Sequence, residues 1–156
     1  KANNFDTNSV AIHIRMGDFR NPDNESVLRD GHWNYRLPIE WYKSMISKIR
    51  NESNIPVYIF SDGNDQELDD LLDLEGCSRI FFGSAIADML ALSRSKILIT
   101  SASTFSMWAS FLGQKATIWF PGQMRQKLIN DTAVFEGEVD YDDSLPESII
   151  KILCRD

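Results

Sequence analysis

Short apolar runs alternate along this chain with segments whose apolar residues recur every three or four positions, and that alternation narrows the fold more than any other feature. Ser9–Arg15, Val57–Ser61, Arg79–Phe82, Ile97–Thr100, Ala116–Phe120 and a weaker Ala133–Glu136 read as strands. Between them, Pro38 starts a segment with Ile39, Tyr42, Ile46 and Ile49 on one helical stripe. Asn64 and Glu67 make a capping box ahead of Leu68, Leu71 and Leu72. Ala85–Arg94 is an apolar helix, and Phe105, Trp108, Ala109 and Leu112 form the stripe of another that Gly113 ends. Ser144 and Glu147 form a second capping box, with Pro146 in the first turn, for a helix through Leu153. The stretch between Arg15 and Leu37, rich in Asn, Asp, Arg and Gly, reads as a loop. Short strands alternating with helices predict βαβ units: an α/β, Rossmann-like three-layer α/β/α domain with a mainly parallel sheet. Ligands of such sheets bind at the carboxyl ends of the strands, so the segments after Arg15, Ser61 and Thr100 are the places to search.

The size and composition suit one such domain. A chain of 156 residues with 43% hydrophobic and 25% charged content forms a core without disulfides or a structural metal. Cys77 and Cys154 make no disulfide framework and no CxxC pair. The longest apolar stretch, Ala85 to Ile99, is broken by Asp88, Arg94 and Lys96, so it does not span a bilayer. The formal net charge of −7 argues against nucleic acid as a partner. That charge is unevenly spread. From Lys1 to Arg36 the five basic residues match the five acidic ones, so the whole deficit lies beyond and an anionic ligand is best received near the N-terminal end. The opening residue is Lys1 and not Met, which suggests a piece of a longer chain. Compartment stays open: cytoplasmic or membrane-associated in a bacterium, the Golgi lumen in a eukaryote.

The densest chemistry is His13-Ile-Arg-Met-Gly-Asp18. His13 and Arg15 alternate onto one face at the carboxyl end of the first strand, and Gly17 permits a sharp turn and close backbone approach. A planar guanidinium there takes two phosphate oxygens at once. The same residues also fit an ordinary strand end, with Arg15 paired to Asp18 and His13 satisfied by backbone. Thr100-Ser-Ala-Ser-Thr-Phe-Ser106 lies between a strand and a helix, where free N–H groups and the macrodipole favour an anion. Capping by Ser103 or Thr104 accounts for only part of that run. Asp62 stands where a turn residue is common. Asp88 interrupts an apolar helix, either to accept from the N–H edge of guanine or to cap a neighbouring loop. Trp33, Tyr35, Trp41 and Tyr42 offer rings for stacking on sugars or for a helix core. Asp140-Tyr-Asp142 has a metal-binding shape but sits in a polar segment, so surface solvation is expected and no metal. GxGxxG, GxxxxGK[ST], HExxH and GxSxG are absent from the sequence.

In order, these segments resemble the fucosyltransferase superfamily of GT-B glycosyltransferases, closest to family 11, which holds the α-1,2-fucosyltransferases. His13-Ile-Arg-Met-Gly-Asp-Phe19 is similar to the motif HxRRGDY, and Pro38-Ile-Glu-Trp-Tyr42 to the helix start that follows it. Val57-Tyr-Ile-Phe-Ser-Asp62 is similar to a strand ending FSD, and the block from Asp88 to Trp108 to DLxLMSxCKHxIIANSSFSWW. The likeness covers roughly residues 9 to 120. It departs from the pattern at Met16, where a second Arg is usual and a phosphate or sugar contact is expected to be lost, and at Ala102, where Asn is usual.

The resemblance implies the donor-binding, C-terminal half of a GT-B enzyme, with residues 1–156 a single GDP-sugar domain and the N-terminal acceptor half outside this chain. It implies binding of GDP-fucose and inverting transfer of fucose to a glycan hydroxyl, without a metal or other cofactor. His13, Arg15, Gly17, Asp62, Asp88, Ser103, Thr104, Phe105 and Ser106 are the expected donor-binding residues. Arg15, with Asp18 or Asp23 as base, is expected to carry the chemistry, and Asp30 shares their loop. Two other readings remain open: a non-catalytic nucleotide- or glycan-binding module, and a GT-B transferase using another nucleotide sugar. As a half enzyme, the chain is expected to bind donor without transferring it.

Overall fold

The computed structural model describes residues 5–155; Lys1, counted in the neutral N-terminal stretch, lies outside the described residues. β1 (Val10–Ile14) leads through α1 (Glu25–Arg29) and α2 (Ile39–Arg50) to β2 (Val57–Ser61). α3 (Asp65–Leu72), β3 (Cys77–Arg79), α4 (Ala85–Arg94), β4 (Ile97–Ile99) and α5 (Thr104–Gly113) follow. β5 (Ala116–Trp119), β6 (Glu136–Glu138) and α6 (Glu147–Leu153) complete the order. The six strands form one sheet, β3-β2-β1-β4-β5-β6, and every pairing is parallel. This is a Rossmann-like α/β arrangement.

β1 is the pivot of the sheet. Val10 faces Val57 across one edge and Ile97 across the other. The chain winds outward from β1 to β3, then crosses back to lay β4, β5 and β6 on the opposite side, so the strand order reverses between β1 and β4. Alternation along β1 divides the core. Val10, Ile12 and Ile14 join the larger cluster, which holds Trp41, Tyr42, Met45, Ile46 and Ile49 of α2, Leu68 and Leu71 of α3, and Ile149 and Leu153 of α6. Ala11 faces the other way, into a smaller cluster with Phe60, Leu98, Ala91 and Leu92 of α4, and Ala109 of α5.

Four details depart from the sequence reading. α1 interrupts the expected loop with a single turn, capped where the Asn24 side chain accepts the Ser26 N–H at 3.0 Å and anchored by buried Leu28. Strands β3 and β6 sit at 77–79 and 136–138, each displaced by two or three residues from its expected position, because backbone pairing with β2 and β5 sets the register where side-chain pattern is weak. α6 begins at Glu147 with Pro146 as its N-cap and no side-chain cap, so Ser144 stays outside the helix. Gly113 is the last helical residue of α5 and not its terminator; a side chain there would strike the backbone of Ser93 in α4. The left-handed residue is Gln114, at φ 50°.

α5 also turns its stripe differently. Phe105 and Ala109 face inward, whereas Trp108 and Leu112 are about half exposed. Small Ser106, Ala109 and Ser110 meet the interior, which lets α5 approach α4 and the sheet closely and leaves the larger side chains outside.

Candidate active site

The reversal between β1 and β4 opens a cleft of about 450 Å³ at the carboxyl edge of the sheet, the place where parallel sheets hold ligands. His13, Arg15, Phe19, Asp62, Asp88 and the Ser103–Phe105 segment are among the residues lining it. The ends of β1 and β4 are tied together from the opposite face. The buried Tyr42 hydroxyl is shared between the carbonyl oxygens of Thr100 at 3.1 Å and His13 at 3.3 Å.

Arg15 leaves β1 one residue past the last paired position. Its guanidinium donates to Asp62 and, at 2.8 Å, to Asp18, and it lies 5.4 Å from the Phe19 ring centroid. Asp62 also accepts the Met16 N–H at 2.7 Å, so one carboxylate holds both the side chain and the backbone of the turn. Gly17 fits because a Cβ there would collide with the Asp62 carboxylate. Arg15 is about one-third exposed, so the guanidinium is aimed but still open to an anion.

Across the cleft stands the N-terminus of α5. Ser103 is the N-cap and accepts the Ser106 N–H at 3.3 Å. His13 Nδ1 lies 2.8 Å from Ser106 Oγ and 2.9 Å from Ser101 Oγ, and its ring packs on Phe105 with centroids 4.7 Å apart. Burial lowers the His13 pKa to about 4, and the Arg15 charge pushes the same way against the attraction of Asp62. The imidazole is therefore neutral at pH 7. Ser106 Oγ also accepts the Ser101 N–H at 3.0 Å, so Nδ1 sits within a network of two serine hydroxyls. A neutral ring adds polar capacity to the cleft without adding a charge. A guanidinium, a neutral imidazole and a helix N-terminus on one cleft favour an anionic oxygen-rich group.

The other expected residues divide. Asp88 lines the cleft and also accepts the Phe82 N–H at 2.8 Å, so it ties the loop after β3. Burial raises its pKa, and that hydrogen bond offsets only part of the rise. Ser106 stands behind His13. Asp23 lies exposed just before α1 and Asp30 is the exposed C-cap of α1; neither lines the cleft. Met16, where the motif has Arg, is 4% exposed and packs in the large core, so position 16 faces away from the cleft. Of the aromatic set, Trp41 and Tyr42 are core, whereas Trp33 lines the cleft beneath the guanidinium of Arg125, 4.1 Å from its centroid. Asp142 is exposed, and the partly exposed Asp140 pairs with Arg29 at 2.5 Å and 2.9 Å. Among the described residues no group of three His, Cys, Asp or Glu side chains is placed to hold a metal ion.

Sequence reasoning does not single out Ser101, Phe60, Phe81 or Asn34. The Ser-rich run could have pointed to Ser101, and Phe60 enters only as the Phe of the strand ending Phe-Ser-Asp62, with no role of its own until the strand order puts it beside His13.

The profile of glycosyl transferase family 11 matches residues 2–131, most of the chain and every element that builds the cleft. The chain belongs to glycosyl transferase family 11. No curated protein matches it. Family 11 is a fucosyltransferase family, so glycosyl transfer from a nucleotide sugar to a glycan is the activity its members share, and the cleft lies wholly within the matched segment.

Proposed function

We propose that this chain is the donor-binding unit of an inverting fucosyltransferase that moves L-fucose from GDP-fucose to a glycan hydroxyl, with the 2-hydroxyl of galactose as the acceptor position. The observation that carries the reading is Arg15, held by Asp62 and facing the N-terminus of α5 across the cleft. In the reaction the bond between the anomeric carbon and the diphosphate oxygen breaks, and its electron pair leaves with GDP. The acceptor oxygen forms the new bond from the opposite face and gives its proton to a base. Positive charge gathers on the sugar ring while negative charge gathers on the departing diphosphate, within reach of Arg15, His13 and the first N–H groups of α5. Fixed donors aimed at developing charge supply the largest share of many rate enhancements.

Asp88, at the far wall, is assigned to the guanine N–H edge, and Ser103 and Thr104 to the diphosphate or ribose. Asp18 is the base of choice in the loop, because it is the carboxylate there that reaches Arg15, and Asp23 is the alternative. The acceptor is held by a second Rossmann-like unit, so these 156 residues alone bind donor without transferring fucose, since holding the two reactants in line is worth several kcal/mol of barrier. Calorimetry with GDP, GDP-fucose, GDP-mannose and UDP-sugars tests the reading. Micromolar binding of GDP-fucose and GDP, with UDP-sugars weaker by tenfold or more, is expected. Equal affinity for UDP-sugars, or none for GDP, would sink it.

A further inference from the structure

Arg36 lies in the extended segment before α2, does not line the cleft, and yet reaches the turn that carries Arg15. Its Nε donates to the carbonyl of Phe19 at 2.9 Å and of Met16 at 3.2 Å, and one terminal nitrogen donates to the carbonyl of Gly17 at 3.4 Å. Its other terminal nitrogen donates to Glu67 Oε1 at 2.9 Å. The second Glu67 oxygen accepts the Asn64 N–H at 3.0 Å, as half of the capping box that opens α3. Its backbone is fixed as well, because the Arg36 N–H donates to the Arg20 carbonyl at 2.8 Å.

Three carbonyls of one short turn thus converge on a single guanidinium, which is itself clamped to the helix that follows Asp62. Asp62 grips the same turn from its other side, through the Arg15 side chain and the Met16 N–H. The turn has little apolar anchorage of its own beyond Met16, and Asp18 within it is exposed. Backbone carbonyls that face one another repel unless a donor sits among them, and a fork of N–H groups suits that task better than an ammonium.

We propose that Arg36 is the positioning residue for Arg15: by gathering the carbonyls of Met16, Gly17 and Phe19 and locking them to Glu67, it fixes the angle at which the Arg15 guanidinium meets the donor diphosphate. It rests on the donor reading of the cleft given above, and it assigns Arg36 no contact with the ligand.

The test combines GDP titration with amide hydrogen exchange. Arg36→Met is expected to weaken GDP binding about tenfold. In an Arg15→Lys background, where the aimed fork is already lost, the same change is expected to alter affinity less than threefold. The field-neutral pair Arg36→Met with Glu67→Gln should behave as Arg36→Met does, which separates geometry from charge. Arg36→Lys, able to hold only part of the carbonyl set, should fall between wild type and Arg36→Met. Independently of any ligand, the amides of Met16 and Phe19 should exchange at least tenfold faster in Arg36→Met, with Ile59 in β2 unchanged. Unchanged exchange at Met16 and Phe19, or the full tenfold loss persisting in the Arg15→Lys background, would overturn the proposal. If the wild-type chain binds no GDP, the donor reading falls, and the exchange rates alone decide whether Arg36 holds the turn.

Discussion

One oxygen of Asp62 accepts the backbone N–H of Met16 while the other receives the guanidinium of Arg15. A residue at the end of β2 therefore fixes both the path and the side chain of the turn after β1. Asp62→Ala leaves a half-buried N–H without its partner and is expected to cost about 1–3 kcal/mol. Asp62→Asn, which can keep its oxygen on Met16 while losing the ion pair, should lose less than half of that. Urea denaturation at pH 7 measures both, and equal losses would show that the Met16 bond is not the one that matters.

Arg15→Lys removes the planar fork but keeps the charge. GDP affinity should fall at least tenfold, because one ammonium cannot take two phosphate oxygens side by side. The melting temperature should move by only a few degrees, since partly exposed ion pairs contribute little. Unchanged affinity in a titration calorimeter would remove Arg15 from the site.

The exposed Asp18 carboxylate occupies one arm of Arg15. A diphosphate must share or displace it. Asp18→Asn should therefore tighten GDP binding, by no more than about fivefold given how little an exposed pair is worth. Transfer by an enzyme that includes the acceptor unit should drop sharply if Asp18 is the base. Weaker GDP binding in Asp18→Asn would contradict the competition.

His13 gives the protein a pH signature. In the unfolded chain its imidazole protonates near 6.5, whereas the buried ring resists until about 4. Stability from this residue is thus complete above pH 6.5 and is lost as the pH falls toward 4, a drop of about 3 kcal/mol. Glu67, held low by the Asn64 N–H and Arg36, and Asp140, held low by Arg29, add their losses only at more acidic pH. Thermal melts of wild type and His13→Asn between pH 7 and 5 separate the two contributions: the variant should be flat where the wild type declines. Parallel curves would place the decline elsewhere.

The motif position at 16 reads differently in three dimensions. Met16 is buried in the large core, and its side chain crowds the place where a Cβ on Gly63 would lie. Met16→Arg should destabilise the fold by on the order of 3 kcal/mol or more, the cost of an unpaired buried charge, and bring no gain in donor affinity. Met16→Leu should be near neutral. A thermal melt decides, and a Met16→Arg variant as stable as wild type with tighter GDP binding would show that the new side chain swings into the cleft.

Much of this site is local in sequence and is therefore legible there. The alternation through β1 marks His13 and Arg15 as sharing a face, and the Ser-rich run before α5 marks an N-terminus with small side chains. The capping box at Asn64 and Glu67 is equally plain, because both of its hydrogen bonds lie within one turn. Residues whose roles depend on strands far apart in the chain give no such signal. Phe60 is legible only as part of the Phe-Ser-Asp62 strand ending, and its place in the cleft appears when β2 is laid beside β1. Arg36 sits in an unpatterned segment whose partners, Glu67 aside, are backbone carbonyls, which carry no side-chain signature. Asp62 reads as a turn residue because its two partners come from the neighbouring strand end. α1 escapes notice because one helical turn with a single buried residue leaves no periodicity to detect.

The place of β1 at the centre of the sheet also governs when the cleft comes into being. Val10 to Ile14 are made before either of their partners, Val57 to Ser61 on one edge and Ile97 to Ile99 on the other, and every one of those pairings is a parallel crossover. The strand that holds His13 can pair with β2 first, but its second edge stays open until the ribosome has delivered β4, and the helix terminus opposite it arrives later still. Topologies built on such distant pairings fold slowly and expose apolar strands meanwhile. The cleft thus forms only once α5 has been made, and chains that end before α5 have no second wall to close it.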